Sequence, residues 1–198
     1  MANWANYYFF GPRGLTDIEE LHDLKITAAS ECHNKVLIGT ETGELWLLMA
    51  PGTKPQKTDL IFRSSILHIV TAQYSQRVLI VYKEANNFVF QVYNTSDFSA
   101  LYEVVVPASE EIPDISYLSC SPKLSRFTFT IDKKSFYIYN LPKSDMAIEK
   151  IQRVTTPPVR RSIDGAIITG LVVTNDELFN KYIYVLTNKT ILCFDIDK

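Results

Sequence analysis

Short apolar runs, each roughly five to seven residues long, recur along this chain and are separated by polar turns. The runs fall into four groups, which begin near Ile26, Ile66, Ile115 and Ile168. Runs rich in Val, Ile, Tyr and Phe and broken by Gly, Asn, Asp or Ser are typical of antiparallel strands with tight turns. A helical period is nearly absent. We therefore predict an all-β fold in which one sheet unit is repeated.

Each group predicts three consecutive strands, and a fourth, outer strand follows each of the first three groups. The outer strand at 100–106 alternates in a way that predicts partial cover at the rim of its sheet. The predicted strands are 26–29, 35–40, 44–48 and 59–63; 66–70, 78–82, 88–94 and 100–106; 115–118, 126–131, 136–140 and 148–154; and 168–173, 182–187 and 191–195.

The spacing of the groups predicts the architecture. Successive groups start roughly forty to fifty residues apart, which is the period of a four-stranded propeller blade. We therefore expect a WD40-like β-propeller, apparently incomplete, with about four blades in one domain over 1–198. Its blades would cover 24–63, 64–107, 113–155 and 166–198, and a further strand at 6–10 would join the last blade to close a ring.

The length of the chain is short for a closed propeller. A seven-bladed ring needs on the order of 300 residues at this period, whereas the chain has 198. The leading interpretation is an open half-propeller, as a truncated part of a larger one, and a closed four-bladed ring is the alternative. In the open form the first and last blades would present apolar faces, which need a neighbouring blade, a partner chain or a ring.

Composition and charge narrow the class of partner. The chain is 46% hydrophobic and 21% charged, with a formal charge of -2, so it has no general attraction to nucleic acid or anionic lipid. The basic doublet Arg160-Arg161 lies in a predicted loop. No apolar run approaches the roughly 18 residues that span a bilayer, and the N-terminus lacks a signal-peptide pattern, so we expect a cytoplasmic protein.

Patterns that would carry catalysis or bind metal are nearly absent. The three cysteines are widely spaced and lie in or beside apolar runs, which indicates reduced core thiols: Cys32, Cys120 and Cys193. The histidines are isolated from one another, and Cys32-His33 has no second pair to complete a metal site: His22, His33 and His68. We predict no catalytic, cofactor-binding or metal-binding residues, no small-molecule substrate and no enzymatic activity.

Two residue types have both a structural and a functional interpretation. Trp46 could anchor a partner, but the alternation around it favours packing between sheets. Four aspartates lie at strand edges, where carboxylates usually cap turns, although they could converge on a central channel: Asp114, Asp132, Asp164 and Asp195. No individual binding residue is nominated.

The N-terminal part of the chain resembles a known family. The segment Trp4-Ala5-Asn6-Tyr7-Tyr8-Phe9-Phe10, followed by Gly43-Glu44-Leu45-Trp46 after a short acidic turn, resembles the start of the vacuolar protein sorting-associated protein 11 family. The resemblance continues more loosely through 89–94 and so covers the first few blades of that family's propeller. It implies a core subunit of the HOPS and CORVET complexes, which tether endosomal and lysosomal or vacuolar membranes before fusion.

The resemblance implies protein partners: the other subunits of the tethering complex, through which the chain would sit peripherally on late endosome, lysosome or vacuole membranes. The family's helical solenoid and RING zinc domain are not recognisable here, and the sequence has no Cys-x-x-Cys pair, so zinc binding and ubiquitin-ligase activity are not transferred. What remains is a non-enzymatic scaffold in vesicle-mediated protein transport.

Other functions fit the repeat as well. The alternative is a WD-repeat-like adaptor in another coat or scaffold complex, and a third is the propeller of a hydrolase or quinone-dependent dehydrogenase. Lipid binding would require clustered Lys and Arg, which the sequence does not show. The blade loops 51–58, 109–114 and 155–164 are predicted to supply partner specificity.

Overall fold

A computed structural model of the chain describes residues 18–49, 53–108, 115–130, 132–142, 151–154, 157–173 and 182–196. Apart from the one-turn helix α1 (Glu19–His22), the regular structure in these ranges is β throughout. None of the described helical structure is long and apolar enough to cross a membrane. The predicted strand at 6–10 lies outside the described residues.

The described strands form four sheets along the chain. The first sheet contains β1 (Ile26–Cys32), β2 (Lys35–Thr40), β3 (Glu44–Leu48) and β4 (Gln56–Ile61). The second sheet contains β5 (Ile66–Thr71), β6 (Arg77–Glu84), β7 (Asn87–Asn94) and β8 (Ala100–Pro107), and β12 (Gln152–Arg153) pairs on the edge of β8. The third sheet contains β9 (Leu118–Cys120), β10 (Arg126–Thr130), β11 (Ser135–Asn140) and β13 (Val159–Ser162), and the fourth contains β14 (Ile168–Val173), β15 (Tyr182–Thr187) and β16 (Ile191–Asp195).

The local sequence explains why these sheets are antiparallel meanders. Consecutive strands within a sheet pair antiparallel through short polar turns. Gly43 shows the requirement at the β2–β3 turn, because its φ is +82° and a Cβ there would lie 2.2 Å from the carbonyl oxygen of Phe62. Only glycine fits both conditions.

The sheets pack face to face in sequence order, and three apolar cores lie between them. Leu37 and Leu45 of the first sheet pack with Ile66 and Ile80 of the second. The second core is aromatic: the ring of Phe90 stacks on that of Phe127 with 5.0 Å between centroids. The third core joins the third and fourth sheets and contains Phe136, Ile138, Ile168, Ile183 and Val185.

The first strands of successive sheets lie side by side along one edge of this row. At each of the three junctions a polar side chain crosses to the neighbouring sheet. The contacts are Thr27 Oγ1 donating to the Ile66 carbonyl at 2.6 Å, His68 Nε2 at 3.0 Å from the Ile115 carbonyl oxygen, and the Val173 amide donating to Ser119 Oγ at 3.1 Å. Among the described strands none of the first sheet pairs with the fourth, so the row stays open.

The predicted strands of the first two sheets are confirmed within a few residues, but the outer strand of the third sheet is not where the pattern put it. Residues 152–153 of the predicted 148–154 strand pair in parallel with β8 of the second sheet. The third sheet is completed instead by β13, which pairs antiparallel with β11. The prediction of a loop at Arg160-Arg161 is therefore wrong, because an edge strand needs only one covered face and tolerates two arginines.

Two smaller predictions have different outcomes. Strand β8 was expected to be only partly covered, and this is confirmed: Tyr102 and Val104 are buried in the second core, whereas Glu103 and Val105 between and beside them are half-buried. The start of the third sheet was predicted wrongly. Strand β9 begins at Leu118, so Ile115 precedes the strand while its side chain still packs in the second core.

Candidate interaction surfaces

The outward face of the first sheet has no sheet packed on it among the described residues. Because side chains alternate across a strand, Leu37 and Leu45 point to the second sheet and their neighbours point away from it. This first free face contains Ile26 and Ala29, which are exposed, Val36, which is half-buried, and Ile38 and Leu48, which are buried. Together with Ile18 and Leu21 beside and within α1 they line a groove of about 410 Å³.

The outer part of the first free face carries a small polar cluster. Lys57 Nζ lies 2.5 Å from Glu44 Oε1, and Trp46 Nε1 donates to Glu44 Oε2 at 3.1 Å. Lys57 and then Trp46 hold the pKa of the Glu44 carboxyl below its ordinary value. Trp46 was predicted to pack between sheets, but it is half-buried on the outward face, where no described sheet lies, because Leu45 and Leu47 occupy the inward positions.

The outward face of the fourth sheet is almost without charge. Strand pairing places Val172, Tyr184 and Cys193 in one row, and Gly170, Leu186 and Ile191 in the next. Ile191 is 65% exposed and Val172 47%. We call the surface formed by Val172, Tyr184, Leu186, Ile191 and Cys193 the fourth free face.

The histidines and cysteines of the described ranges do not come together into a metal or catalytic site. His68 is held by its contact with the Ile115 carbonyl, and His33 sits in a turn with φ of 45°. Cys32 is buried as predicted, whereas Cys193 is exposed, contrary to its predicted place in the core. Within the described ranges, no three His, Cys, Asp or Glu side chains are grouped as a metal ion would require.

The aspartates at strand edges divide between the described and undescribed parts of the chain. Asp132 Oδ1 accepts hydrogen bonds from the amides of Lys134 and Ser135, both at 2.5 Å, which is the turn-capping role expected from the sequence. Asp164 is exposed, and Asp114 lies outside the described residues.

A buried polar cluster lies between the first and second sheets. The Gln91 side-chain oxygen accepts hydrogen bonds from the hydroxyls of Tyr82 at 3.1 Å and Tyr93 at 2.7 Å. Burial raises the pKa of Tyr82 to about 12 and that of Tyr93 further. Every polar atom named here has a partner inside the core, so the cluster stabilises the fold and offers no free group for chemistry.

The two free faces were expected from the repeat, but their residues were not nominated from the sequence. A usable signal was present in the repeat itself. A position that is buried between two sheets in the inner repeats is also apolar in the first and last repeats. In an open row no neighbouring sheet covers that position at either end, so the side chain there is exposed.

Comparisons with known proteins bear on the fold. No family model matches the sequence. No curated protein sequence matches it either. Solved structures do match: the computationally designed protein Ika4 has a TM-score of 0.55 at 14% identity, with 88% of this chain and 93% of Ika4 covered.

Two longer proteins share the arrangement of sheets. Hsv2 of Kluyveromyces marxianus, a β-propeller protein, has a TM-score of 0.59 at 10% identity over 85% of this chain and 55% of Hsv2. The designed protein Ika8 has a TM-score of 0.54 at 12% identity over 86% of this chain and 46% of Ika8. The chain thus spans about half the length of both. At these identities the likeness concerns the fold alone, and that fold is β-propeller-like.

Proposed function

We propose that this chain is a partial β-propeller that acts as a non-enzymatic scaffold, binding proteins of an endosomal and lysosomal or vacuolar membrane-tethering complex. The observation that carries the scaffold assignment is the pair of apolar free faces at the two ends of the open row of sheets. Exposed apolar surface of this kind is a common mark of protein–protein contact.

The chemistry of the two faces supports protein recognition. The fourth free face combines Tyr184 with the aliphatic Val172 and Ile191 and carries no Lys, Arg or Glu. The first free face has an apolar centre and, at its margin, the Glu44–Lys57 pair beside Trp46. An apolar centre with a polar rim is the usual anatomy of a protein interface, and Trp is prominent among residues that dominate binding energy.

The tethering complex is proposed from the sequence resemblance. Trp4, Phe9, Phe10 and the Gly43-Glu44-Leu45-Trp46 element carry that resemblance. The partners would be the other subunits of HOPS or CORVET, and the chain would reach late endosome, lysosome or vacuole membranes through them from the cytoplasm.

A binding measurement with purified subunits tests the proposal. The immobilised chain is exposed to the remaining core subunits of HOPS and CORVET, and we expect a micromolar or tighter dissociation constant for at least one. An Ile191→Lys variant should weaken that binding if the fourth free face is the contact, and Ile151→Lys is the control, because Ile151 is also exposed but lies beside β12.

Two results would separate the parts of the proposal. If a folded chain binds none of these subunits, the tethering assignment is wrong, and an adaptor in another coat or scaffold complex takes its place. If neither free face contributes to binding any protein partner, the scaffold assignment itself is wrong.

A further inference from the structure

We infer that two copies of this chain join end to end, the first free face of each against the fourth free face of the other, into a closed ring of eight sheets. The inference does not depend on the tethering function: in the ring a second copy is the protein partner that both free faces bind, and other subunits would bind the ring through its blade loops. It rests on equivalent positions in the four repeats and on the exposure of each.

The isoleucine that opens each repeat is exposed in the first sheet, before which no other sheet lies among the described residues. Ile66, Ile115 and Ile168 are 0%, 2% and 2% exposed, because the sheet before each of them covers it. Ile26 occupies the same place in the first repeat and is 48% exposed. The repeat therefore places at Ile26 a side chain suited to burial against another sheet.

The fourth sheet shows the reverse: no described sheet packs on its outward face. Leu45 of the first sheet pairs with Gly39 and is fully buried against the second sheet. Ile191 pairs with Leu186 in the equivalent register of the fourth sheet and is 65% exposed. The side chain is apolar at both positions, but only the first has a sheet to pack on among the described residues.

A bulge repeated in the first strands identifies a specific contact for the missing junction. In the first sheet the register shifts between Ile26 and Ala28, and the bulged Thr27 donates its hydroxyl to the Ile66 carbonyl. In the fourth sheet the register shifts between Ile168 and Gly170, so Thr169 is the equivalent of Thr27.

Thr169 is exposed, and its hydroxyl makes no hydrogen bond to another described residue. In a second copy, Ile26 occupies the position that Ile66 has relative to Thr27. Across the new junction, Thr169 Oγ1 would therefore donate a hydrogen bond to the Ile26 carbonyl of the second copy.

A second copy is the occupant that fits these observations. One chain carries both halves of the junction, and the three internal junctions show that faces of these two types pack together. The open row of the described sheets does not bring its own ends together. Two four-sheet rows make eight sheets, and one copy matches 46%, about half, of the larger designed protein Ika8.

Charge and the position of α1 permit this assembly. The net charge of -2 gives little repulsion between copies. Among the described residues, the first free face carries Glu31 and the Glu44–Lys57 pair, and the fourth free face has Asp195 at the outer end of β16. Helix α1 lies over part of the first free face, with Ile18 and Leu21 half-buried and no residue fully buried, so the second copy would take its place there.

The experiment measures the mass of the purified 198-residue chain by light scattering and sedimentation. Between about 1 and 100 µM, which resolves a micromolar dissociation constant, we expect a single species of twice 22.6 kDa. Ile26→Glu and Thr169→Lys should each weaken dimerisation by at least ~30-fold per junction, as for loss of a central interface residue. Ile151→Glu is the matched control, since Ile151 is also 48% exposed.

An equimolar mixture of the Ile26→Glu and Thr169→Lys chains tests the ring specifically. Their mixed dimer has one native junction and one in which Glu and Lys face each other, so the dimer should return on mixing. Cys193, on the fourth free face, provides a second readout: it should react slowly with a thiol reagent in the dimer and rapidly in either variant.

Three outcomes would overturn the inference. The first is a chain that stays monomeric at the highest concentration. The second is a dimer that Ile26→Glu and Thr169→Lys leave intact, which would use another surface. The third is an open series of higher oligomers, since the end-to-end contact would then not close. Circular dichroism of each variant separates loss of assembly from loss of folding.

Discussion

Replacing Gln91 by leucine should destabilise the protein more than replacing either one of the two tyrosines that donate hydrogen bonds to it. Its side-chain oxygen is the acceptor for Tyr82 at 3.1 Å and for Tyr93 at 2.7 Å, and all three side chains are less than a tenth exposed. Gln91→Leu leaves two buried hydroxyls without this partner. Each orphaned hydroxyl costs about 1–3 kcal/mol, so we expect a loss of about 2–6 kcal/mol in the free energy of unfolding.

The reasoning gives a non-additive series. Tyr82→Phe or Tyr93→Phe alone removes one hydrogen bond and leaves no hydroxyl orphaned, so each should cost about 1 kcal/mol. The triple variant Gln91→Leu, Tyr82→Phe, Tyr93→Phe has no orphaned group and should be more stable than Gln91→Leu alone. Gln56→Leu is the surface control and should change stability by no more than about 0.5 kcal/mol, because Gln56 is exposed.

Urea unfolding followed by circular dichroism measures the series, and thermal unfolding checks it. A loss of ~4 kcal/mol corresponds to a fall in Tm of about 8–16 °C for a chain of this size. A triple variant as unstable as Gln91→Leu, or less stable, would refute the argument, because the cost would then come from lost packing and not from orphaned hydroxyls.

The remaining predictions concern pH, a turn and a junction. Burial raises the pKa of Tyr82 to about 12, so the free energy of unfolding should be full below pH 10 and should fall as the pH rises from about 10 to 12. The fall should be less steep in Tyr82→Phe, and urea unfolding at a series of pH values measures it. Gly43→Ala should lower the free energy of unfolding by more than ~2 kcal/mol, because the new Cβ would meet the Phe62 carbonyl. Gly165→Ala should lower it by about 1 kcal/mol, because Gly165 has φ of +70° but open space around it, and equal losses in the two variants would contradict this. Thr27→Val should cost about 1 kcal/mol in thermal unfolding by removing the 2.6 Å bond between the first two sheets, and an unchanged Tm would count against it.

The strands of the first two sheets could be predicted because their alternation and turn chemistry agree. Runs such as 78–82 and 88–94 are apolar and bounded by polar turns, which leaves one interpretation. Strands β12 and β13 could not be assigned correctly. The segment 148–154 has the better strand pattern, while β13 contains two arginines and follows Pro157-Pro158, so local pattern favoured the wrong segment. The choice between them is made by pairing with distant strands.

The candidate surfaces could be predicted in kind but not residue by residue. The period alone implies an open row with apolar ends. Whether Trp46 or Leu45 faces a neighbouring sheet depends on the register of β3 against β2, which a single strand does not reveal. The exposed Cys193 was missed for the same reason, because an apolar run looks identical whether or not another sheet covers it.

The parallel pairing of β12 with β8 affects how this repeat could have been inherited. After β11 the chain crosses to the second sheet, where Val154 donates its amide to the Glu103 carbonyl at 2.8 Å, and then returns to the third sheet as β13. The second and third units are therefore interleaved in sequence. A duplication or deletion of the third unit alone would take with it the strand that covers the edge of the second, so these two units are exchangeable only as a pair.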